Sequence, residues 1–395
     1  MACEQIPSPL VDLLRQYKLL QEEFEFEKET FYQQTQRAGI PKRIQQGVCW
    51  YPVSANKSYY NSLNQLIIEI KRDENDDTDH NFEYGRPVCF FRFNQTGDLR
   101  YFSFAATISY VHENTMLVVL PNSNSLLDIQ GCPDLGVQLY FDGTSYKTMF
   151  SALTEVMEAK NNRLARLREV ILGNEMMEQR KLQPIHLMWL NHSQEQAVNR
   201  VLAAKEVAVV HGPPGTGKTT TLVEAVYETL RRENQVMVCA QSNTAVDWIA
   251  EKLLDRGVNV LRIGNPTRIN DKMLSFTYER KFESHPAYPT LRTARASIRE
   301  LSVRLKRLKG AKRESARRML HDLRDQAIKL EIKIDAQLFG EARVIACTLV
   351  GSANKQLNGK MFSTLFIDEA AQALEAACWI AISKAYRVIL AGDHC

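Results

Sequence analysis

The run His211-Gly212-Pro213-Pro214-Gly215-Thr216-Gly217-Lys218-Thr219 contains a complete G-x-x-x-x-G-K-T pattern. Those residue types at that spacing suit one task, the holding of a chain of phosphates. Gly215 and Gly217 let the backbone turn its N–H groups inward around a phosphate, and a helix starting at once adds the positive end of its dipole. Lys218 can reach the β- and γ-phosphates of a nucleoside triphosphate, and the Thr219 hydroxyl can hold Mg²⁺. A glycine-rich turn with a chance lysine is the plain alternative. The flanking pattern disfavours it: Val207-Ala208-Val209-Val210 reads as a buried strand, and Thr220 to Arg232 has helical spacing with Leu222, Val226 and Leu230 on one side. The candidate nucleotide contacts are therefore Gly212, Pro213, Pro214, Gly215, Thr216, Gly217, Lys218, Thr219 and Thr220.

A second constellation lies about 150 residues further on, where the apolar strand Phe366-Ile367 ends in Asp368-Glu369. In a Walker-type ATPase the Asp of such a pair holds Mg²⁺ and the Glu orients the attacking water. Alone, two carboxylates at a strand end would usually cap a helix. Mg²⁺ held by Thr219 needs a carboxylate opposite it, which favours the metal reading here. Lys218, Asp368 and Glu369 are the catalytic candidates, and Thr219 and Asp368 the metal ligands.

The elements that must position these groups follow from periodicity. After the loop and its helix come Gln235 to Ala240, a helix from Thr244 to Arg256, and Val258 to Ile263; later come Ala342 to Cys347, Ser363 to Asp368, a helix from Gln372 to Lys384, and Arg387 to Ala391. Apolar strands alternating with amphipathic helices predict an α/β lobe, a parallel sheet covered on both faces. Residues 265–340 interrupt it. Most of that stretch, Thr290 to Leu338, reads as two helices hinged near Gly310, with Ile298, Leu301, Leu305 and Leu308 inward on one and Met319, Leu323, Ile328 and Leu330 on the other.

Ahead of the lobe the pattern differs. Residues 8–37 predict a long helix with Ser8 as N-cap and Pro9 in its first turn, and Met149 to Leu172 predicts a second one stopped by Gly173; the two would pair as a stalk. Between them are short apolar or aromatic runs: Gln65 to Ile70, Val88 to Phe93, Tyr101 to Phe104, Thr115 to Leu120 and Val137 to Phe141. Turn signals at Asn94 to Asp98, Pro121 to Asn124 and Asp142-Gly143 separate them, and the acidic run Asp73 to Asp79 reads as a solvated loop. This is the spacing of a small β-barrel or sandwich, an architecture that commonly stacks single-stranded bases on aromatics. Most of its rings are expected to fill the interior.

Composition sets bounds. The chain has 395 residues, 45% of them hydrophobic, enough for two or three domains, with no export signal and no run long enough to cross a membrane. Eight scattered cysteines with no C-x-x-C or Cys/His cluster argue against a zinc site or a disulfide framework, and read as reduced thiols of a cytoplasmic protein. The net charge is only +4, yet Arg292 to Lys333 holds 14 Lys+Arg against 5 Asp+Glu. Such a basic hairpin suits nucleic-acid phosphates, although long surface helices are often charged.

Taken together, these residues resemble the superfamily 1 nucleic-acid helicases, closest to the branch of the up-frameshift and immunoglobulin-mu-binding-protein helicases. Leu190-Asn191-His192-Ser193-Gln194 with Ala197 looks like that branch's adenine-recognising Q motif, and Gly212 to Thr219 is similar to its motif I. Ala240 to Asp247 resembles motif Ia and Ala346 to Gly351 motif Ic, which implies nucleic-acid contacts at Ser242, Asn243 and Thr348. Asp368-Glu369-Ala370-Ala371-Gln372 matches motif II, and Gly392-Asp393-His394 opens motif III. The resemblance implies a P-loop RecA-like lobe with a helical insertion, a barrel on a two-helix stalk, ATP with Mg²⁺ as cofactors, Gln194 at the adenine, single-stranded DNA or RNA as partner, and 5′-to-3′ translocation. The domains would be a stalk helix at 1–40, a barrel at 41–148, a second stalk helix at 149–185 and the lobe at 186–395. The family's metal-binding regulatory module has no counterpart among these cysteines. Ending at Cys395 within motif III, the chain is also expected to lack a second RecA-like lobe, so that it alone would bind ATP but turn it over slowly or not at all. An ATP-responsive nucleic-acid-binding protein without turnover is the alternative; a P-loop kinase or transporter ATPase is disfavoured by Gln194 and by Ala240 to Asp247.

Overall fold

Thirteen strands and twelve helices follow one another along the described residues of a computed structural model, which are 9–35, 37–73, 78–93, 98–213, 215–264 and 269–393. Expectations at Cys3, Ser8, residues 74–77, residues 94–97, Pro214, residues 265–268, His394 and Cys395 lie outside them. In chain order the elements are α1 (Pro9–Thr35), α2 (Ile40–Gln45), β1 (Cys49–Trp50), β2 (Ser54–Tyr60), β3 (Leu66–Lys71), β4 (Pro87–Phe93), β5 (Leu99–His112), β6 (Thr115–Leu120), α3 (Ser123–Ile129), β7 (Leu135–Leu139), α4 (Thr144–Glu158) and α5 (Arg163–Ile171). Then come α6 (His192–Ala203), β8 (Val207–His211), α7 (Lys218–Leu230), β9 (Val236–Ala240), α8 (Asn243–Leu254), β10 (Val260–Arg262), α9 (Tyr278–Ser284), α10 (Tyr288–Leu305), α11 (Gly310–Glu341), β11 (Val344–Thr348), β12 (Phe362–Asp368), α12 (Glu375–Ile382) and β13 (Ala385–Gly392). The chain divides into two compact units, Gln21–Thr144 and Met1–Leu20 with Ser145–Cys395.

The smaller unit is one antiparallel sheet in the order β1-β7-β4-β5-β6-β3-β2, with a core to which every strand contributes, including Trp50, Ile68, Phe90, Ile108, Met116 and Val137. β2 was not legible in the sequence because Ser54 to Tyr60 is polar and mostly exposed, as suits an edge strand. The turn expected at Pro121 to Asn124 is instead a helix start. Asn122 accepts a hydrogen bond from the Ser125 amide at 3.0 Å and caps α3.

In the larger unit the helix expected over Met149 to Leu172 is two helices. Asn161 sits at φ 53° and Asn162 turns extended to cap α5, while Arg168 donates to the carbonyls of Val156, Met157 and Ala159 at the end of α4. Gly173, at φ 78°, stops α5 as expected. Tyr17 of α1 packs on Phe150 of α4 with ring centroids 4.9 Å apart.

The six-stranded sheet of this unit is parallel throughout, in the order β10-β11-β9-β12-β13-β8. One of its faces meets Val201, Leu222, Val226, Ile249 and Leu253 of α6, α7 and α8. Trp379 of α12, which packs on β12 and β13, is fully buried, and α12 starts at Glu375 rather than Gln372 because Ala370–Gln372 forms a 3₁₀ turn. α10 and α11 form the expected hairpin, with Gly310 opening α11 at φ 59°. Of the four apolar residues read on its second helix, Leu323 and Leu330 are half-buried along the seam, and Met319 and Ile328 lie off it. Leu320, Ala327 and Ile334, seven residues apart, are buried, whereas Met319 and Ile328 are 58% and 52% exposed. A seven-residue repeat keeps one seam facing a paired helix, and that coiled-coil spacing fixes the register.

Five cysteines, Cys49, Cys89, Cys239, Cys347 and Cys378, are buried and free, and burial pushes the Cys49, Cys89 and Cys378 thiols up to about 12. They are packing residues. No described helix is long and apolar enough to cross a membrane.

Candidate nucleotide and nucleic-acid site

Four strands of this sheet deliver the site. β8 leads into the phosphate loop, β12 ends at Asp368, and β9 and β11 end beside it, with Ala240 in register with both Asp368 and Thr348. In a parallel sheet all of these ends face the same way, toward the edge where ligands bind in open α/β folds.

The loop is pinned from inside. Thr216 Oγ1 donates to the Pro213 carbonyl at 2.8 Å, and Gly215 and Gly217 take φ of 83° and 77°, values that fit glycine. Gly217 is the N-cap of α7 and has no side chain to cap with, so the first amides of α7 point at the loop's hollow. Lys218, with its side chain only 8% exposed, places Nζ 3.6 Å from Glu369 Oε2.

Asp368 is 3% exposed, and its Oδ1 is buried with no hydrogen-bond partner. Burial raises its carboxyl above the usual aspartate range, the Glu369 amide lowers it, the Glu369 charge raises it, and Lys218 and Thr219 lower it. A buried acceptor without a donor suits a cation, and the oxygen pair of Asp368 and Thr219 suits Mg²⁺, which takes one or two protein ligands and fills its remaining positions with water and phosphate. The described residues hold no group of three or more His, Cys, Asp or Glu side chains able to cage a metal. Glu369 itself sits at φ 50°, a left-handed conformation costing a non-glycine residue on the order of 1 kcal/mol.

A cavity of 720 Å³ is lined by the loop, Lys218, Thr219, Thr220, Glu369, Gln372, Asp393 and Trp248. Trp248, 45% exposed on α8, was missed in the sequence. Its signal was a tryptophan on the polar side of an amphipathic helix. A second hollow of 400 Å³ lies on the other side of the loop, against Asn191, Gln194, Ala197 and Gly212. There Asn191 and Gln194 form a capping box on α6, and Gln194 Nε2 donates to the Thr216 carbonyl at 3.1 Å.

The three nucleic-acid candidates lie at the ends of β9 and β11, and each already has a partner. Ser242 Oγ accepts from the Ala245 amide, Asn243 Oδ1 accepts from Arg262, and Thr348 Oγ1 accepts from the Gly351 amide. Arg262 is fully buried and also bonds Asp247 at 2.7 Å, so Asn243 is held by a buried ion pair.

A strand, a glycine loop at a helix start and an acidic strand end two places along the same parallel sheet define a P-loop nucleotide-binding lobe. A family model described as "AAA domain" matches residues 189–395, more than half of the chain. Three similar proteins are the DNA polymerase alpha-associated DNA helicase A of Schizosaccharomyces pombe, 37% identical over 52% of this chain and 31% of its own length; the DNA-binding protein SMUBP-2 of Rattus norvegicus, 32% identical over 63% and 26%; and the ATP-dependent helicase NAM7 of Saccharomyces cerevisiae, 33% identical over 65% and 26%. The chain belongs to this AAA-domain family, within the superfamily 1, up-frameshift-like helicases. The matches span about a quarter to a third of the length of these three relatives.

Proposed function

We propose that this chain supplies the nucleotide-binding lobe of an ATP-dependent helicase, takes Mg²⁺-ATP at the phosphate loop and holds single-stranded DNA or RNA across the ends of β9 and β11. The observation that carries the reading is the buried, unpartnered Oδ1 of Asp368 beside Thr219, on the strand end neighbouring the loop whose Lys218 faces Glu369. Bound Mg²⁺ would neutralise charge building up on the transferring phosphoryl group. Thr219 and Asp368 orient that ion, Lys218 binds the outer phosphates, and the amides at the start of α7 bind the inner ones. Glu369 holds the attacking water in line and accepts its proton. Gln194, between the loop and the 400 Å³ hollow, reads the adenine edge.

Within this reading the antiparallel unit is a small barrel, supported by a sheet order whose two ends, β1 and β2, are joined by residues 51–53 alone. The packing of Tyr17 on Phe150 supports pairing of α1 with α4 as the stalk. Titration of the chain with a fluorescent ATP analogue, with and without Mg²⁺, tests the core claim. Saturable, Mg²⁺-dependent binding that Lys218→Ala removes is expected; binding indifferent to both would overturn it.

A further inference from the structure

α7 and α8 both run away from the strand ends that carry the candidate site, and their far ends meet the start of β11 around a cavity of 550 Å³. α7 has 13 residues, so this cavity lies about 20 Å from the phosphate loop. Arg231, Arg232, Arg256 and Arg343 line it, and Glu233 is the one carboxylate among its described lining residues. That carboxylate is engaged elsewhere. Its Oε1 accepts from the buried Arg387 at 2.7 Å, and its Oε2 from Ser363 and Thr364 at 2.6 and 2.8 Å.

Each arginine is fixed, and each keeps donors to spare. Arg231 and Arg232 share Glu228, each through Nη1 at 3.0 Å, and Arg256 bonds Glu224 through Nη1 while its guanidinium lies 5.4 Å from the Tyr227 ring centre. Glu224 and Glu228 are buried and do not line the cavity. The Nε–Nη2 edge of these three arginines, which carries parallel N–H groups, has no hydrogen-bond partner among the described residues. Arg343 forms no ion pair among them; its Nε and Nη2 donate to the carbonyls of Asn234, Leu230 and Glu233. Capping of the α7 end explains those contacts and the one from Arg232 to the Glu228 carbonyl. It also covers the carbonyls that would repel an anion there. It does not explain the open edges of Arg231, Arg232 and Arg256.

We propose that this cavity binds a compact polyphosphate, a small molecule carrying several clustered phosphate groups. Open guanidinium edges grip phosphate oxygens bidentately, and three of them with a fourth positive charge surround one hollow. Its 550 Å³ lies within the range of about 300–1,000 Å³ usual for small-molecule sites. The four guanidinium groups share two buried carboxylates, which leaves positive charge for the ligand. This site is separate from the nucleotide position and does not depend on the reading of that position.

The test is calorimetric titration of the full chain carrying Lys218→Ala, which takes the phosphate loop out of competition, with inorganic tripolyphosphate and separately with inositol hexakisphosphate. One saturable site is expected with each probe, and tighter binding of either one distinguishes a linear from a ring-borne phosphate cluster. Arg231→Gln removes one open edge while Arg232 still holds Glu228, and Asn234→Asp places a carboxylate in the lining without touching an arginine. Each should weaken binding by roughly tenfold. Arg231 and Asn234 are exposed, so without probe both variants should melt with their parent; with probe, the parent's melting temperature should rise more than theirs. No binding by the parent chain, or binding that both variants leave unchanged, overturns the site. Displacement of the probe by a short single-stranded oligonucleotide or an oligoglutamate peptide, at equal concentration of negative charge, overturns the ligand class.

Discussion

Lys218 Nζ and Glu369 Oε2 stand 3.6 Å apart at the mouth of the phosphate loop, a lysine almost out of water facing a carboxylate held in a left-handed backbone. In the proposed function that ammonium binds the outer phosphates. Lys218→Ala removes one charge-assisted hydrogen bond of about 1.5–3 kcal/mol, so nucleotide affinity should fall at least tenfold. Alanine is well tolerated at a helix start, and circular dichroism should be unchanged. Unaltered affinity in a titration would disprove the phosphate role.

The two carboxylates should separate by substitution. Asp368→Asn, at the buried end of β12, is expected to abolish the Mg²⁺ dependence of nucleotide binding, since an amide is a poor ligand for a hard cation. Glu369→Gln should leave binding intact or tighten it a few-fold, because it removes an anion facing the phosphates, and should slow hydrolysis wherever hydrolysis is measurable. Calorimetry of both variants with and without Mg²⁺ checks the pattern, and matching effects would merge the two roles.

Glu279 provides a pH test away from the site. Burial first, and the nearby Glu283 charge second among the raising effects, push its carboxyl up to about 7. Because the folded value exceeds the unfolded one, the stabilising contribution is complete below the ordinary glutamate range and disappears as pH rises through about 7. Melting temperature should therefore fall between pH 5 and 8 by the equivalent of about 2 kcal/mol, allowing for residual access of solvent. Glu279→Gln should flatten that slope and be the more stable form at pH 8. A variant that keeps the wild-type slope would place the titration elsewhere.

The phosphate loop and the acidic strand end were legible because their signals are local: a fixed spacing, a strand before, a helix after. What escaped the sequence depends on residues far apart in the chain. The placing of β9 between β11 and β12, which sets Thr348 and Asp368 on either side of Ala240, follows from crossover order, and the left-handed Glu369 belongs to the turn that leaves β12. Asn161 and Asn162 broke a helix that periodicity ran straight through, since apolar spacing continued on both sides of them. In α11 apolar residues occur at more positions than one seam can hold, and only pairing with α10 selects Leu320 over Met319.

That hairpin keeps most of its basic surface outward. Arg304 is 4.0 Å from Glu300, while Arg307, Arg313 and Arg317 are exposed without an ion-pair partner among the described residues. Changing all four to glutamine should flatten the dependence of single-strand affinity on salt, by roughly 0.7 in logarithmic slope per phosphate that the hairpin neutralises. Melting temperature should hardly move, as these side chains are exposed. A slope equal to that of wild type would make the hairpin a solvated surface.

The last test concerns Gly217, where the loop, the helix and Gln194 meet. A Cβ built there would stand 2.6 Å from Gln194 Nε2, and the residue's φ of 77° already disfavours any side chain. Gly217→Ala therefore acts twice: it strains the turn that aims the first α7 amides, by on the order of 1 kcal/mol, and it pushes the Gln194 amide off the Thr216 carbonyl. Gln194→Ala acts once, removing the amide while leaving the loop's backbone alone. If Gln194 reads the base, Gln194→Ala should lose preference for ATP over GTP while its affinity for triphosphate alone stays near wild type. Gly217→Ala should lose affinity for every nucleotide, and triphosphate with it. Competition titrations with ATP, GTP and inorganic triphosphate distinguish the two. If Gln194→Ala weakens all three equally, Gln194 serves only to brace the loop through Thr216, and base recognition belongs to other residues.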